Sequence, residues 1–288
     1  MHRKLSYCLA AALILALLGA CGEPSAAQTV SSAPESHTVE TDPVLATPEP
    51  TPEPTPEPTP EPTLPPWPVY EFGVPVEESE PVADDSFFDN AVFLGDSRTE
   101  GLELFSGLKH GAFYWARGMT VFRVDDEKYK IATVDGEDYT LMGALSKRSF
   151  DAVYIMIGVN ELGYPAESYE SGLSKLVDKV LDAQPEAVVY LQIMPPLNDA
   201  MCRANSLASY INNDNLQAFN EAIRRVAAEK KVALLNTAEV YTGEDGQLPA
   251  ELANDGCHFA YKAYGRWANY LRSHVIDRER YFYSREQT

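Results

Sequence analysis

Residues 86–288 predict a three-layer α/β/α sandwich around a central, mainly parallel five-stranded sheet. Two observations predict it. Five short apolar runs, each bounded by polar or turn residues, alternate with segments whose apolar residues recur at three- and four-residue spacing. Strands separated by helices pair in parallel, with helices over both sheet faces.

The strands are expected at 91–94 (AVFL), 112–116 (AFYWA), 152–157 (AVYIMI), 187–194 (AVVYLQIM) and 232–235 (VALL). Within 112–116, Phe113, Tyr114 and Trp115 read as sheet core, not as a sugar-stacking platform. A helix over 168–183 is predicted by Tyr169, Leu173, Leu176, Val177, Val180 and Leu181. Leu216, Phe219, Ile223 and Val226 predict another over 214–229, and Tyr264, Trp267, Leu271 and Val275 a last one over 260–275. The stretch 117–150 follows neither period and is expected to be irregular.

The chain ahead of this domain has a different character. Arg3 and Lys4 precede a nearly unbroken apolar run from Leu5 to Leu18, followed by Gly19, Ala20 and Cys21. This is the pattern of a secretory signal over 1–20. Leu18-Gly19-Ala20-Cys21 resembles a bacterial lipobox, which implies that Cys21 is lipidated and that a lipid anchors the protein to the membrane outside the cytoplasm. Residues 21–85 read as an acidic, proline-rich tether. Four Thr-Pro-Glu-Pro units run from Thr47 to Pro62, and 22–85 contains no Lys or Arg. Such a segment buries too little apolar surface to offset its ordering entropy, and its prolines favour an extended spacer.

The net charge is −20; fourteen acids in 22–85 and two cations in the signal leave −8 on 86–288. No basic stripe is available to neutralise phosphates, so nucleic acid is not an expected partner. Nor does any H-E-x-x-H or Cys/His cluster point to a metal, and no cofactor is expected. Cys202 and Cys257 remain once the signal and Cys21 are set aside; an extracytoplasmic pair can be bridged, and spacing alone leaves that open.

In open parallel sheets, sites form at the carboxyl ends of strands. Gly95-Asp96-Ser97 follows the first run, Arg117-Gly118 the second, Gly158-Val159-Asn160-Glu161 the third, and Asp255-Gly256-Cys257-His258 the fifth by way of a loop. Ser97 has a plain local role available: with Glu100 it has the S-x-x-E spacing of a capping box. It is also the serine placed at a strand-to-helix turn, where a nucleophile gains from the positive helix end. Three histidines lie outside the signal and tether: His110, His258 and His274. His110 lacks a turn-borne acid and His274 falls in the last predicted helix, whereas Asp255 is close enough to orient His258. Singly, each residue has a dull reading as a cap, turn former or joint. Together they fit a Ser-Asp-His order.

The residues Gly95-Asp96-Ser97, Gly118, Gly158-x-Asn160 and Asp255-x-x-His258 resemble the four motif blocks of the SGNH (GDSL-like) hydrolases, over about 86–275. The resemblance implies an α/β esterase or acyl transferase. It makes Ser97 the nucleophile, His258 the base, Asp255 its orienting acid, and Ser97, Gly118 and Asn160 the oxyanion hole. Two positions depart from the pattern: Arg98 stands where leucine is common, and Glu161 replaces the usual aspartate. Arg98 is expected to pair with an acid or meet a polar substrate. The leading reading is a serine esterase acting on short acyl groups, acetyl above all, of a cell-surface or extracellular carbohydrate. An O-acyltransferase, a lipid esterase and a non-catalytic binding protein are the alternatives, and no long apolar stretch reads as an acyl-chain groove.

Overall fold

A computed structural model describes residues 68–80 and 84–288. The signal (1–20), Cys21 and the tether as far as residue 67 lie outside the described residues. Seven strands occur in chain order: β1 (Ala91–Gly95), β2 (Ala112–Trp115), β3 (Ala132–Val134), β4 (Glu137–Tyr139), β5 (Ala152–Met156), β6 (Val188–Gln192) and β7 (Ala233–Leu235). The helices are α1 (Ser97–Phe105), α2 (Leu141–Leu145), α3 (Ala166–Ala183), α4 (Asp199–Ala204), α5 (Asn213–Lys230), α6 (Tyr264–Ser273) and α7 (Arg278–Gln287).

Five strands form one sheet in the order β2-β1-β5-β6-β7, and every pairing in it is parallel. Parallel neighbours need a crossover between them, and the predicted helices supply it. β1, β5, β6 and β7 are buried at every residue, which is why they read as continuous apolar runs instead of alternating ones. The central sheet flanked by helices is the expected α/β/α sandwich.

An aromatic row crosses four of the strands at one register. Phe93 stacks on Phe113 (4.8 Å between ring centres) and on Tyr154 (4.9 Å), and Tyr154 stacks on Tyr190 (4.6 Å). These are in-register neighbours, so each ring supports the next across the ladder. On the α3–α5 side, Tyr169 stacks on Phe219 at 4.2 Å and donates its hydroxyl to Ile157 O at 2.7 Å.

The structure departs from expectation in four places. The stretch 117–150 is not wholly irregular: β3 and β4 form an antiparallel hairpin, and α2 follows with Thr140 as its cap, accepting from Gly143 N at 3.1 Å. The last predicted helix is shorter, starting at Tyr264 after a 3-10 turn over Tyr261–Ala263. α4 and α7 are not expected from the sequence; α4 is six residues long, and α7 (RERYFYSREQ) is half charged and buries only Tyr281 and Ser284.

The fourth concerns the domain boundary. The tether was expected to run to residue 85, yet residues 68–80 pack on the sheet. Tyr70 is buried, its N–H donates to Ser284 Oγ at 2.8 Å, and its hydroxyl accepts from Leu234 N at 3.1 Å. Val76 N donates to Leu234 O at 2.8 Å, beside a parallel bridge between Pro75 and Leu234. The strap thus satisfies backbone groups on the outer edge of β7, which a sheet edge otherwise leaves open. Its proline content hid it in the tether.

Candidate active site

Because the five strands of the sheet run the same way, the loops leaving their carboxyl ends share one edge. Gly95 ends β1 and lets the chain turn at once into α1. A Cβ there would lie 1.8 Å from Thr99 Oγ1 and 2.9 Å from Met156 O, so no other residue fits without displacing the helix. Asp96 then caps α1, its carboxylate accepting from Arg98 N at 2.9 Å.

This assignment corrects the capping-box reading. Asp96, not Ser97, is the cap, and Ser97 is the first helical residue with its hydroxyl released from backbone duty. Ser97 Oγ lies 2.8 Å from His258 Nε2. Glu100 does not reach back to the cap; it takes the Arg117 guanidinium through two bonds of 2.7 Å.

His258 lies on the loop beyond β7, and Asp255 shapes that loop as well as the ring. Asp255 Oδ1 accepts from Cys257 N (2.9 Å) and His258 N (2.7 Å), while Oδ2 lies 2.8 Å from His258 Nδ1. Burial alone would raise the Asp255 carboxyl. The donors of His258 and Cys257 outweigh it and hold the group below the usual carboxylate range. With Nδ1–H donated to this carboxylate, Nε2 is left bare toward Ser97. The three side chains are therefore in hydrogen-bond continuity.

Arg98 neither pairs with an acid nor reaches substrate. It is 1% exposed; Nε and Nη2 donate to Cys257 O (3.1 and 2.9 Å), Nη1 to Pro195 O (3.2 Å), and the guanidinium lies 5.1 Å from the Phe259 ring centre. It ties the corner that carries Ser97 to the loop that carries His258. Nothing in the sequence signals this, because its partners are backbone carbonyls.

Asn160 reaches Asp96, the neighbour of Ser97, whereas Gly118 is linked to it only through the Met119 that follows. The Asn160 amide donates to Met119 O at 3.0 Å and to Asp96 Oδ2 at 3.4 Å. Gly118 has φ +73, a left-handed backbone that glycine adopts without strain, with open space around it. Glu161 is fully buried, and its Oε1 accepts from Val121 N at 2.6 Å. Asn160 and Glu161 together fix the segment that follows Gly118. Burial pushes the Glu161 carboxyl up to about 8; the Val121 N–H opposes this and the neighbouring Asp96 carboxylate adds to it. Asp96 is itself raised by burial, against the Arg98 backbone N–H and guanidinium.

A cavity of about 380 Å³ opens beside Ser97 and His258. Leu104, Phe105, Phe259 and Tyr264 give it an apolar wall, and Arg117 with Glu100 a charged one. That apolar wall was not visible in the sequence, since its residues come from both ends of the domain. The other two histidines lie outside the cavity: His110 contacts Asp89, and His274 is buried against Tyr270 with Glu239 at 3.5 Å. Cys202 and Cys257 are buried and unbridged. Among the described residues, no group of three His, Cys, Asp or Glu is placed to hold a metal ion.

Arg98→Leu strands the Cys257 and Pro195 carbonyls, at about 1–3 kcal/mol each, partly offset by removal of a buried charge. Steady-state kinetics on a soluble ester should show kcat falling about tenfold or more with little change in KM, because Arg98 holds the loop and touches no substrate. Arg98→Lys should restore only part of it, since one ammonium cannot reproduce the fork.

Glu161 makes stability depend on pH. Its carboxyl titrates near 4.5 when unfolded and about 8 when folded, so the native state binds the extra proton between them. Stability should fall as pH rises through that window, by on the order of a few kcal/mol, and level off above it. Urea midpoints at pH 5 and 8.5 should differ more for the wild type than for Glu161→Gln.

No curated protein matches the chain. Among solved structures, a Streptococcus pneumonia protein provisionally described as a platelet activating factor is 21% identical, with a TM-score of 0.51 over 63% of this chain and 81% of that one; it shares the fold. A GDSL-like lipase from Bacteroides thetaiotaomicron is 16% identical, with a TM-score of 0.47 over 67% and 89% of the two chains. Phospholipase A1 from Streptomyces albidoflavus is 18% identical, with a TM-score of 0.44 over 64% and 98%. The GDSL-like Lipase/Acylhydrolase family matches residues 93–266, from within β1 to within α6. A match of that length places this chain in the GDSL-like lipase/acylhydrolase family, as an ester-hydrolysing serine hydrolase.

Proposed function

We propose that the protein is an extracytoplasmic, lipid-anchored esterase that removes short acyl groups, chiefly acetyl, from a cell-envelope or extracellular carbohydrate. The observation that carries the chemistry is the Ser97–His258–Asp255 chain, with both side-chain contacts at 2.8 Å. In this reading Ser97 Oγ attacks the ester carbon as His258 Nε2 takes its proton. The carbonyl oxygen becomes an oxyanion, met by the N–H groups of Ser97 and Gly118 and by the Asn160 amide. Asn160 keeps one N–H on Met119 O and turns the other, now in a long 3.4 Å contact with Asp96, to the oxyanion. Collapse breaks the ester C–O bond and expels the sugar oxygen, which takes the proton from His258 and leaves as the hydroxyl, with the acyl group on Ser97. Water then enters by the same route and releases the acid from Ser97. Asp255 holds the imidazole throughout without taking its proton.

The cavity supports a short acyl group. Its apolar surface is confined to Leu104, Phe105, Phe259 and Tyr264, and the facing Arg117–Glu100 pair offers a longer alkyl chain no apolar contact on that side. The location rests on the sequence: the signal pattern over 1–20, Cys21 as the lipidated residue, and the Thr-Pro-Glu-Pro spacer that follows.

One set of measurements tests the reading. A phosphonate ester probe should label Ser97, and Ser97→Ala should lower kcat about 10⁴-fold with the fold intact; labelling at another serine would overturn the assignment. Asp255→Asn should be less damaging than His258→Ala. Across acetyl, butyryl, octanoyl and palmitoyl esters of one alcohol, kcat/KM should fall after the shortest members. A groove built for lipid would instead gain about 0.8 kcal/mol per buried methylene, and a steady rise toward palmitoyl would replace the carbohydrate reading with a lipid one. Intact-mass analysis of the membrane fraction should find the lipid on Cys21, and Cys21→Ser should be released from that fraction; equal retention would reject the anchor.

A further inference from the structure

Among the described residues, six aromatic side chains are exposed: Phe87, Phe105, Phe122, Tyr164, Tyr210 and Tyr261. Phe87 precedes β1, at the amino edge of the sheet. The other five all lie on segments leaving the carboxyl ends of parallel strands. Phe122 follows β2, Tyr164 follows β5, Tyr210 follows β6 and Tyr261 follows β7, while Phe105 ends α1 and lines the cavity beside Ser97. Exposed rings are therefore concentrated on the edge where the chemistry is.

Three of them surround the turn that carries Asn160. The Phe122 and Tyr164 ring centres are 5.4 Å apart, tilted by 45°. The Tyr210 ring packs against Gly163, where a Cβ would lie 3.2 Å away. Phe122 lies across Gly172 of α3, where a Cβ would come within 2.7 Å of its ring. The Asn160–Met119 and Glu161–Val121 bonds lock the two loops that present Phe122 and Tyr164. These rings are held in place with about half of their surface exposed. Apolar surface fixed in that way beside a catalytic centre marks a partner's seat.

We propose that Phe122, Tyr164 and Tyr210 form a stacking platform for the sugar rings of a polysaccharide whose acylated unit sits at Ser97. The proposal rests on the carbohydrate-esterase reading and extends it from one sugar to a polymer. Three features select this occupant. The rings stand on the two loops that the Asn160–Met119 and Glu161–Val121 bonds join, four residues beyond Asn160 in the case of Tyr164 and four beyond Gly118 in the case of Phe122. Tyr164 and Tyr210 combine an apolar face with a hydroxyl, which suits a ring having C–H faces and O–H edges. The net charge of −8 on 86–288 repels the anionic surface of a bilayer or a nucleic acid but leaves a sugar polymer unaffected.

The test uses the full chain carrying Ser97→Ala, so that binding is read without turnover. Migration is measured in gels containing partially acetylated xylan, glucomannan or peptidoglycan fragments, and co-sedimentation with phosphatidylcholine vesicles. At least one polymer should retard the protein, and adding Phe122→Ala with Tyr164→Ala should weaken that affinity about tenfold, the cost of truncating buried aromatic anchors. Phe122→Leu, which keeps the apolar packing on Gly172 and removes the flat face, should also weaken it; this guards against loss through misfolding. Retardation by none of the three polymers, or equal retardation of the variants, overturns the proposal. Loss of vesicle binding by the variants with polymer binding intact overturns it in favour of a lipid surface. The esterase reading fails separately, if the Ser97 enzyme does not hydrolyse nitrophenyl acetate.

Discussion

One buried cation joins the corner that carries Ser97 to the loop that carries His258. Ser97 and His258 lie 161 residues apart in sequence, and the side-chain contact between them is a single hydrogen bond. The covalent neighbour of Ser97 does the joining. The Arg98 guanidinium spreads its donors over carbonyls from the loops after β6 and after the last strand, and Phe259 covers its face. A carboxylate partner would have neutralised it; carbonyls fix it in position while leaving its charge in the site. That charge lowers the Asp96 carboxyl against the effect of burial. A leucine at this position packs but cannot bond to either loop, so the departure from the common motif marks a different way of holding the same three residues.

The opposite side of Ser97 is built on carboxyl groups. Asp96 caps α1 and meets the Asn160 amide; Glu161, next in sequence, takes the Val121 N–H. Both are buried and both are raised, so the second acid is favoured in its neutral form while the first keeps a cation beside it. The extra methylene of Glu161 relative to aspartate lengthens its reach to the 119–124 segment. The donors named for the oxyanion and the exposed rings of the proposed platform hang from this one framework.

Much of the fold was legible because parallel strands buried on both faces leave continuous apolar runs, as 152–157 and 187–194 do. The motif residues were legible because they sit at the ends of those runs. What escaped detection had a physical reason in each case. The β3–β4 hairpin carries Glu137 and Asp138 exposed on a short strand, with no apolar period to find. The strap at 68–80 uses prolines that read as tether, although it also holds Tyr70 and Val76. Ser97 and Glu100 matched a capping box, but Asp96 was one residue earlier and capped first. Sequence gives the charge of Arg98 and not its depth, so an acid partner or a polar substrate is expected where the structure has buried backbone carbonyls.

The strap across β7 bears on how the protein takes mechanical load. Tension applied from the N-terminal side reaches the domain first at Tyr70 and Val76, whose bonds to Leu234 and Ser284 lie at the rim farthest in strand order from β2. Peeling the strap would break those contacts and bare one strand edge while leaving β1, α1 and the 255–259 loop untouched. The contacts that would meet such a load first are therefore separate from those that join Ser97 to His258.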